Sequence, residues 1–274
     1  MFLREFPEEH VITWEIAISY LNFMRERRDV RNDVVALRNL GKYQIRKGMD
    51  ACVFPAGYFS YKKRSMPYIM NDEELRLFFD ACDRYPYDAH NPLLAYTVAV
   101  IFRLQYSTGM RPTEVRLLTR TDFDFRNGEI YISDSKQHKD RRIAVRPDVM
   151  DMCNKYDAIA RAIYPGTNAF FPNRKKDFHT GRSLQQMFHK CWDATGIKTG
   201  DFYCSPYILR HNFATRRIME WMNEGKDFEQ FMPYLSAYMG HQTFRETCYY
   251  LHLMPERLSK LGFMDITAVT GRCE

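Results

Sequence analysis

Apolar residues at Ile12, Ile16, Tyr20, Phe23 and Met24, and again at Val30, Val34, Leu37 and Leu40, recur at the spacing of helices that bury one side. Two amphipathic helices therefore fill the chain up to about residue 50. From Pro55 to Pro67 the pattern lapses into Pro, Gly and Ser with the basic run Lys62-Lys63-Arg64, the composition of an exposed linker. The chain thus reads as a short helical domain over 1–60, a linker over 61–67 and a larger domain over 68–274.

Beyond the linker, Asn71-Asp72-Glu73-Glu74 has the form of a helix cap, and Leu75, Phe78, Phe79 and Cys82 supply a buried stripe. A further apolar helix runs from about Pro92 to Ser107, ends at Gly109, and is followed by one that begins at Pro112. Arg111 consequently stands at a helix entrance, held extended by the proline after it. Between Thr121 and Val145 the period changes to two. Phe123 and Phe125, Asn127-Gly128, Ile130 and Ile132, a polar turn, then Ile143 and Val145 spell a small antiparallel sheet of about three strands. Helical patterns return from Pro147, so the fold class is mainly α with a small antiparallel β-sheet.

With 45% hydrophobic and 15% aromatic residues, 274 residues suffice for a substantial core. A net charge of +6 permits nucleic-acid binding without demanding it. Twelve basic and eight acidic side chains precede residue 66, so the basic excess is densest where a phosphate-gripping domain would need it. Seven scattered cysteines without a CxxC pair read as reduced thiols of a cytoplasmic protein. Neither a signal peptide nor a run of 18 apolar residues is present, so no membrane is expected. His179 and His189 lack a metal-ligand spacing, and no glycine-rich phosphate loop occurs, so neither metal nor other cofactor is expected.

Four strings fall in a fixed order: Thr108-Gly109-Met110-Arg111-Pro112-Thr113-Glu114, then Ser135-Lys136, then Tyr207-Ile208-Leu209-Arg210-His211, then Met239-Gly240-His241 with Tyr250 nine residues later. Each is weak alone. Together they resemble the catalytic set of the tyrosine recombinases, the phage integrase family. The resemblance covers about Tyr68 to His252, and the helical N-terminal part agrees in kind with the family's core-binding domain, though about 65 residues is short for it and leaves no room for an arm-site domain.

Phosphoryl transfer needs charge neutralised on the phosphate, a nucleophile in line and a proton for the departing oxygen. Arg111 and Arg210 suit the first task, since a planar guanidinium grips phosphate through two parallel hydrogen bonds. Tyr207, Arg210 and His211 share one helical face by spacing and are expected to share one surface. The resemblance implies Tyr250 as nucleophile, with Tyr249 its rival. It also implies Lys136 in the hairpin turn as proton donor, with Lys139 nearby, and His241 as a phosphate donor beside the tyrosine. Glu114 would orient the cations and His211 would support the helix. At the family's histidine position this chain has Tyr207, which can donate a hydrogen bond but cannot exchange protons as an imidazole does near neutrality.

The implied activity is site-specific recombination of duplex DNA through a 3′-phosphotyrosyl link, independent of metal and ATP, in the service of a mobile element. The implied assembly is a homo-tetramer on two DNA sites in the bacterial cytoplasm, at the nucleoid, with accessory DNA-bending proteins as further partners. The segment Pro255–Phe263 would dock on a neighbouring subunit. Two alternatives stay open: a DNA-binding relative that no longer cleaves, and a type IB topoisomerase-like enzyme.

Overall fold

A computed structural model describes residues 11–27, 29–55, 57–58, 67–133, 140–200 and 202–251. The chain divides into two compact units, Met1–Arg64 and Ser65–Glu274.

The first unit contains helices α1 (Trp14–Arg25) and α2 (Arg31–Arg46). Thr13 caps α1, its hydroxyl accepting from the amide of Ile16. Ala17, Tyr20, Leu21 and Met24 of α1 pack with Val34 and Leu37 of α2, and Ile12, Cys52 and Phe54 complete this small core. The chain on either side is stitched to it, because Ile12 donates to Gln44 Oε1 (2.9 Å) and accepts from the amide of Cys52 (2.7 Å). Phe23, expected in the buried stripe, is 42% exposed. The buried face of α1 follows residues 17, 20, 21 and 24, which leaves position 23 on its flank, where Arg27 lies over the ring at 3.6 Å.

In the second unit α3 (Asp72–Asp83) opens with a reciprocal cap. Asn71 Oδ1 accepts from the Glu74 amide and Glu74 Oε2 accepts from the Asn71 amide, both at 2.9 Å. Helix α4 (Leu94–Thr108) is the axis of the unit, with Val98, Ile101, Phe102 and Leu104 fully buried, and it packs against α3, α6 (Pro147–Ile163) and α8 (Tyr207–Asn223). Phe78 of α3, Phe102 of α4, and Phe188 and Trp192 of α7 (Gly181–Thr195) form an interlocking aromatic core.

Between the short helix α5 (Pro112–Arg116) and α6 lie strands β1 (Phe123–Asp124), β2 (Glu129–Ile132) and β3 (Arg141–Ala144), antiparallel in the order β1-β2-β3, with Ile130 opposite both Phe123 and Ile143. The first turn is longer than a two-residue Asn-Gly hairpin. Asp124 Oδ1 accepts from the amides of Arg126 and Asn127, and the strand resumes after Gly128. The sheet is therefore the three-stranded one expected, and the mainly α class holds.

Helices α8, α9 (Phe228–Met239) and α10 (Phe244–Cys248) enclose a separate small core of Ala214, Ile218, Met232, Leu235, Met239, Tyr250 and Leu251. Among the described residues no helix is long and apolar enough to cross a membrane.

Candidate active site

Arg111 occupies the N-cap of α5 in an extended conformation (φ −66°, ψ 148°), with Pro112 at the first helical position. Glu114, in the first turn, accepts from the Arg111 amide at 2.8 Å and from Arg111 Nη1 at 2.9 Å. One carboxylate thus caps the helix and aims the guanidinium.

Arg210 is buried on α8 and donates Nη1 to Gly109 O (2.7 Å) and Nη2 to Met239 O (2.9 Å). Gly109 ends α4 in the left-handed region (φ 63°), and a Cβ there would lie 2.4 Å from the Phe213 ring. Backbone conformation and space both require glycine, and the resulting turn presents the carbonyl that Arg210 takes.

The end of α9 gathers the rest. Gly240 (φ 65°) and His241 close the helix in a Schellman arrangement, Gly240 N bonding Ala237 O (3.0 Å) and His241 N bonding Ser236 O (2.9 Å). The next three carbonyls each accept from a different arginine: Tyr238 O from Arg141 Nε (2.8 Å), Met239 O from Arg210 Nη2 (2.9 Å) and Gly240 O from Arg111 Nη2 (2.7 Å). Cations belong there, because the unpaired carbonyls of a helix end carry its partial negative charge. Arg141 also grips Glu114 with both terminal nitrogens, at 3.0 and 2.9 Å.

His241, just beyond the turn, shares a 2.7 Å hydrogen bond between Nδ1 and Thr247 Oγ1, and its ring stacks on Tyr250 at 5.9 Å with a 21° tilt. Burial, then Arg210 and Arg111, push its pKa down to about 3, so it is neutral at physiological pH. Tyr250 is buried against His241 and against His211 at 5.6 Å, whereas its neighbour Tyr249 is partly exposed. Burial raises the Tyr250 phenol, and the adjacent Arg210 and Arg111 pull it back. On Glu114 burial acts upward too, but the bonds from Arg141 and the Arg111 amide outweigh it and leave the carboxyl below its usual range.

Residues 207, 210 and 211 do not share a surface as expected. Arg210 is buried and Tyr207 is 46% exposed. His211 lies between them in depth, its ring 6.5 Å from that of Tyr207. The helix turns all three the same way, but the α9 end covers Arg210 and leaves Tyr207 at the rim. Burial, then Arg210, press the His211 pKa down to about 4, and its Nδ1 is buried with no hydrogen-bond partner among the described residues.

The structure therefore assembles Arg111, Glu114, Arg210, His211, His241 and Tyr250, with Tyr207 beside them. Lys136, its alternative Lys139 and the segment Pro255–Phe263 lie outside the described residues. Arg141 was not anticipated. Its signal is the strand period: Arg141, Ile143 and Val145 alternate on one face, and a charged residue on an apolar face needs a buried partner of opposite charge.

Two arginines, a neutral histidine and a phenol converge on one helix end of a mainly α scaffold. Residues 69–257 match the model of the phage integrase family, and the chain belongs to that family. It is 30% identical over 187 residues to y4rE, an inferred integrase/recombinase of Sinorhizobium fredii, covering 68% of this chain and 59% of that protein. It is 26% identical to the tyrosine recombinase XerC of Actinobacillus pleuropneumoniae, covering 64% of this chain and 53% of the relative. It thus spans between half and three fifths of the length of these relatives. Among solved structures, the XerH site-specific recombinase in its post-cleavage complex with palindromic difH superposes with a TM-score of 0.65 at 20% identity, over 90% of this chain and 70% of that one. A lambda integrase tetramer bound to a Holliday junction gives 0.61 at 14% identity, over 87% and 64%. The fold is that of the tyrosine recombinases.

Proposed function

We propose that this chain is a site-specific DNA recombinase of the integrase type, cutting and rejoining duplex DNA through Tyr250 and serving a mobile element. The observation that carries this reading is the convergence of Arg111, Arg210, His241 and Tyr250 at the end of α9. Arg111 spends one hydrogen of Nη1 on Glu114 and one of Nη2 on Gly240 O, and Arg210 spends one of each terminal nitrogen on Gly109 O and Met239 O, so two guanidiniums held rigid from behind can offer their remaining hydrogens to the non-bridging oxygens of one phosphate.

The Tyr250 phenol gives up its proton to water as its oxygen attacks phosphorus, the bond to the 5′ oxygen breaks, and the strand is left as a 3′-phosphotyrosyl ester with a free 5′ hydroxyl. The leaving oxygen takes up a proton, for which Lys136 is the candidate donor. With Nδ1 engaged by Thr247, His241 offers Nε2 to the phosphate. It donates there in the tautomer whose Nδ1 accepts from the threonine hydroxyl. Attack by a partner strand's 5′ hydroxyl reverses the chemistry and exchanges strands, with neither metal nor ATP. The DNA-bound XerH and tetrameric lambda integrase structures support duplex DNA as substrate and a homo-tetramer as the working assembly. Met1–Arg64 then serves as the core-binding domain.

Incubation with a nicked suicide duplex carrying the target site gives a covalent adduct visible on a denaturing gel, and Tyr250→Phe removes it while DNA binding persists. Binding without an adduct from the unaltered protein overturns the enzyme reading and leaves a DNA-binding relative.

A further inference from the structure

Resting on the recombinase reading above, we infer that Arg141 is a positioning residue of the reaction: it neutralises Glu114 and thereby leaves the charge of Arg111 available to the scissile phosphate.

Arg141 is nine-tenths buried and its hydrogen bonds go to protein, two terminal nitrogens to Glu114 and Nε to Tyr238 O. It does not present an edge to the site as Arg111 does. Glu114 holds Arg111 through one terminal nitrogen but holds Arg141 in the planar two-bond geometry that guanidinium and carboxylate prefer. A buried carboxylate with only Arg111 beside it would form a closed, neutral pair, and Arg111 would have little field left for a dianionic transition state. With Arg141 present the cluster of Arg111, Glu114 and Arg141 carries net positive charge. The carboxylate can cap α5 and orient Arg111 without cancelling it.

The same guanidinium reaches the α9 end. A Cβ at Gly240 would lie 2.6 Å from Arg141 Nη1, so Arg141 fills the space under the turn whose carbonyls hold Arg210 and Arg111 and whose next residue is His241. Arg141 sits at the start of β3 and thus ties the sheet to the helix end that arranges the phosphate-binding groups.

The test compares covalent-adduct formation on a nicked suicide duplex under single-turnover conditions for the full chain and for Arg141→Met, Arg141→Lys, Glu114→Gln and the Arg141→Met/Glu114→Gln pair, with DNA affinity and thermal melting measured for each. Arg141→Met is expected to slow adduct formation about 30- to 100-fold with DNA affinity changed less than about threefold, placing the loss in the chemical step. Adding Glu114→Gln to it removes the uncompensated anion and recovers about tenfold, and Arg141→Lys retains an intermediate rate. A double variant as slow as the product of its single effects, or Arg141→Met reacting at the unaltered rate, overturns the inference. If Arg141→Met does not fold, Arg141→Lys decides it: an intermediate rate supports the inference and the unaltered rate overturns it. An unaltered protein that gives no adduct overturns the recombinase reading and this inference together, a result distinct from an active protein indifferent to Arg141.

Discussion

Two arginine–carboxylate–arginine clusters, each with a buried carboxylate, lie in the second unit and look alike in their parts. In one, Glu114 stands between Arg111 and Arg141; in the other, Asp157 stands between Arg120 and Arg161, at 2.8 and 2.6 Å. Both carboxylates are almost fully enclosed, and both clusters lend an arginine to a backbone carbonyl, Arg120 to Thr167 O. They differ in what surrounds them. The Asp157 cluster ties α6 to the loop before Ala169, and Arg161 is largely in water, where its charge is screened. The Glu114 cluster meets a third arginine, a helix end, a neutral histidine and a phenol. Enclosed charge alone therefore makes a structural tie, and it is the added convergence of Arg210, His241 and Tyr250 on one helix end that the recombinase reading takes for a phosphate site.

That contrast breaks most sharply at Arg210. Arg210→Met is expected to lower the rate of adduct formation about 10³-fold, the scale of losing a pre-organised donor to the transition state, while DNA binding survives. Less than a tenfold loss means the α9 end is only another structural tie. Arg120→Met, in the other cluster, is expected to cost about 3 kcal/mol of folding free energy in urea denaturation, because Asp157 loses its buried partner. The protein that stays folded should still form adduct at the unaltered rate, and a catalytic defect there would erase the distinction.

Gly240→Ala places a Cβ against Arg141 and forces a left-handed residue to carry a side chain. A stability loss of about 2 kcal/mol is expected, accompanied by a larger drop in adduct rate than an equal destabilisation elsewhere produces. Acid sharpens the comparison further. His211 and His241 titrate near pH 4 and 3 in the fold and near 6.5 when unfolded, so the unfolded chain binds more protons between these values and stability falls as pH drops. From pH 7 to 5 each should cost on the order of 1–2 kcal/mol, read from urea midpoints and diminished in His211→Asn and His241→Asn. An unchanged midpoint over that range contradicts the burial argument. The smallest effect expected is at Tyr207, where Tyr207→His restores an imidazole at the rim and raises the adduct rate by roughly tenfold, the low side of what a positioned acid–base group supplies.

Much of this was legible beforehand. The Asn71–Glu74 cap, the Arg111-Pro112 helix entrance, the glycine stops and the three strands are local events, decided by residues within a few positions of one another. The spacing of nine between His241 and Tyr250 already favoured Tyr250, and the structure gives it, rather than Tyr249, to His241. What could not be read was depth. Phe23 lies on the flank of α1, off the face that is buried, and Tyr207 lies on the expected side of α8 yet at the rim, where partners distant in sequence decide what is covered. Arg141 was visible only as a basic residue on an apolar strand face.

The sequence by itself determined the elements, since helix caps, turns and alternation depend on short-range backbone chemistry, and its resemblance nominated the candidate reacting groups. Only the tertiary structure decided that Tyr238, Met239 and Gly240 offer their carbonyls to three arginines from α5, β3 and α8. Those partners lie up to 129 positions apart. Helix-end carbonyls are identical in every residue type, so which guanidinium satisfies each of them follows from packing alone.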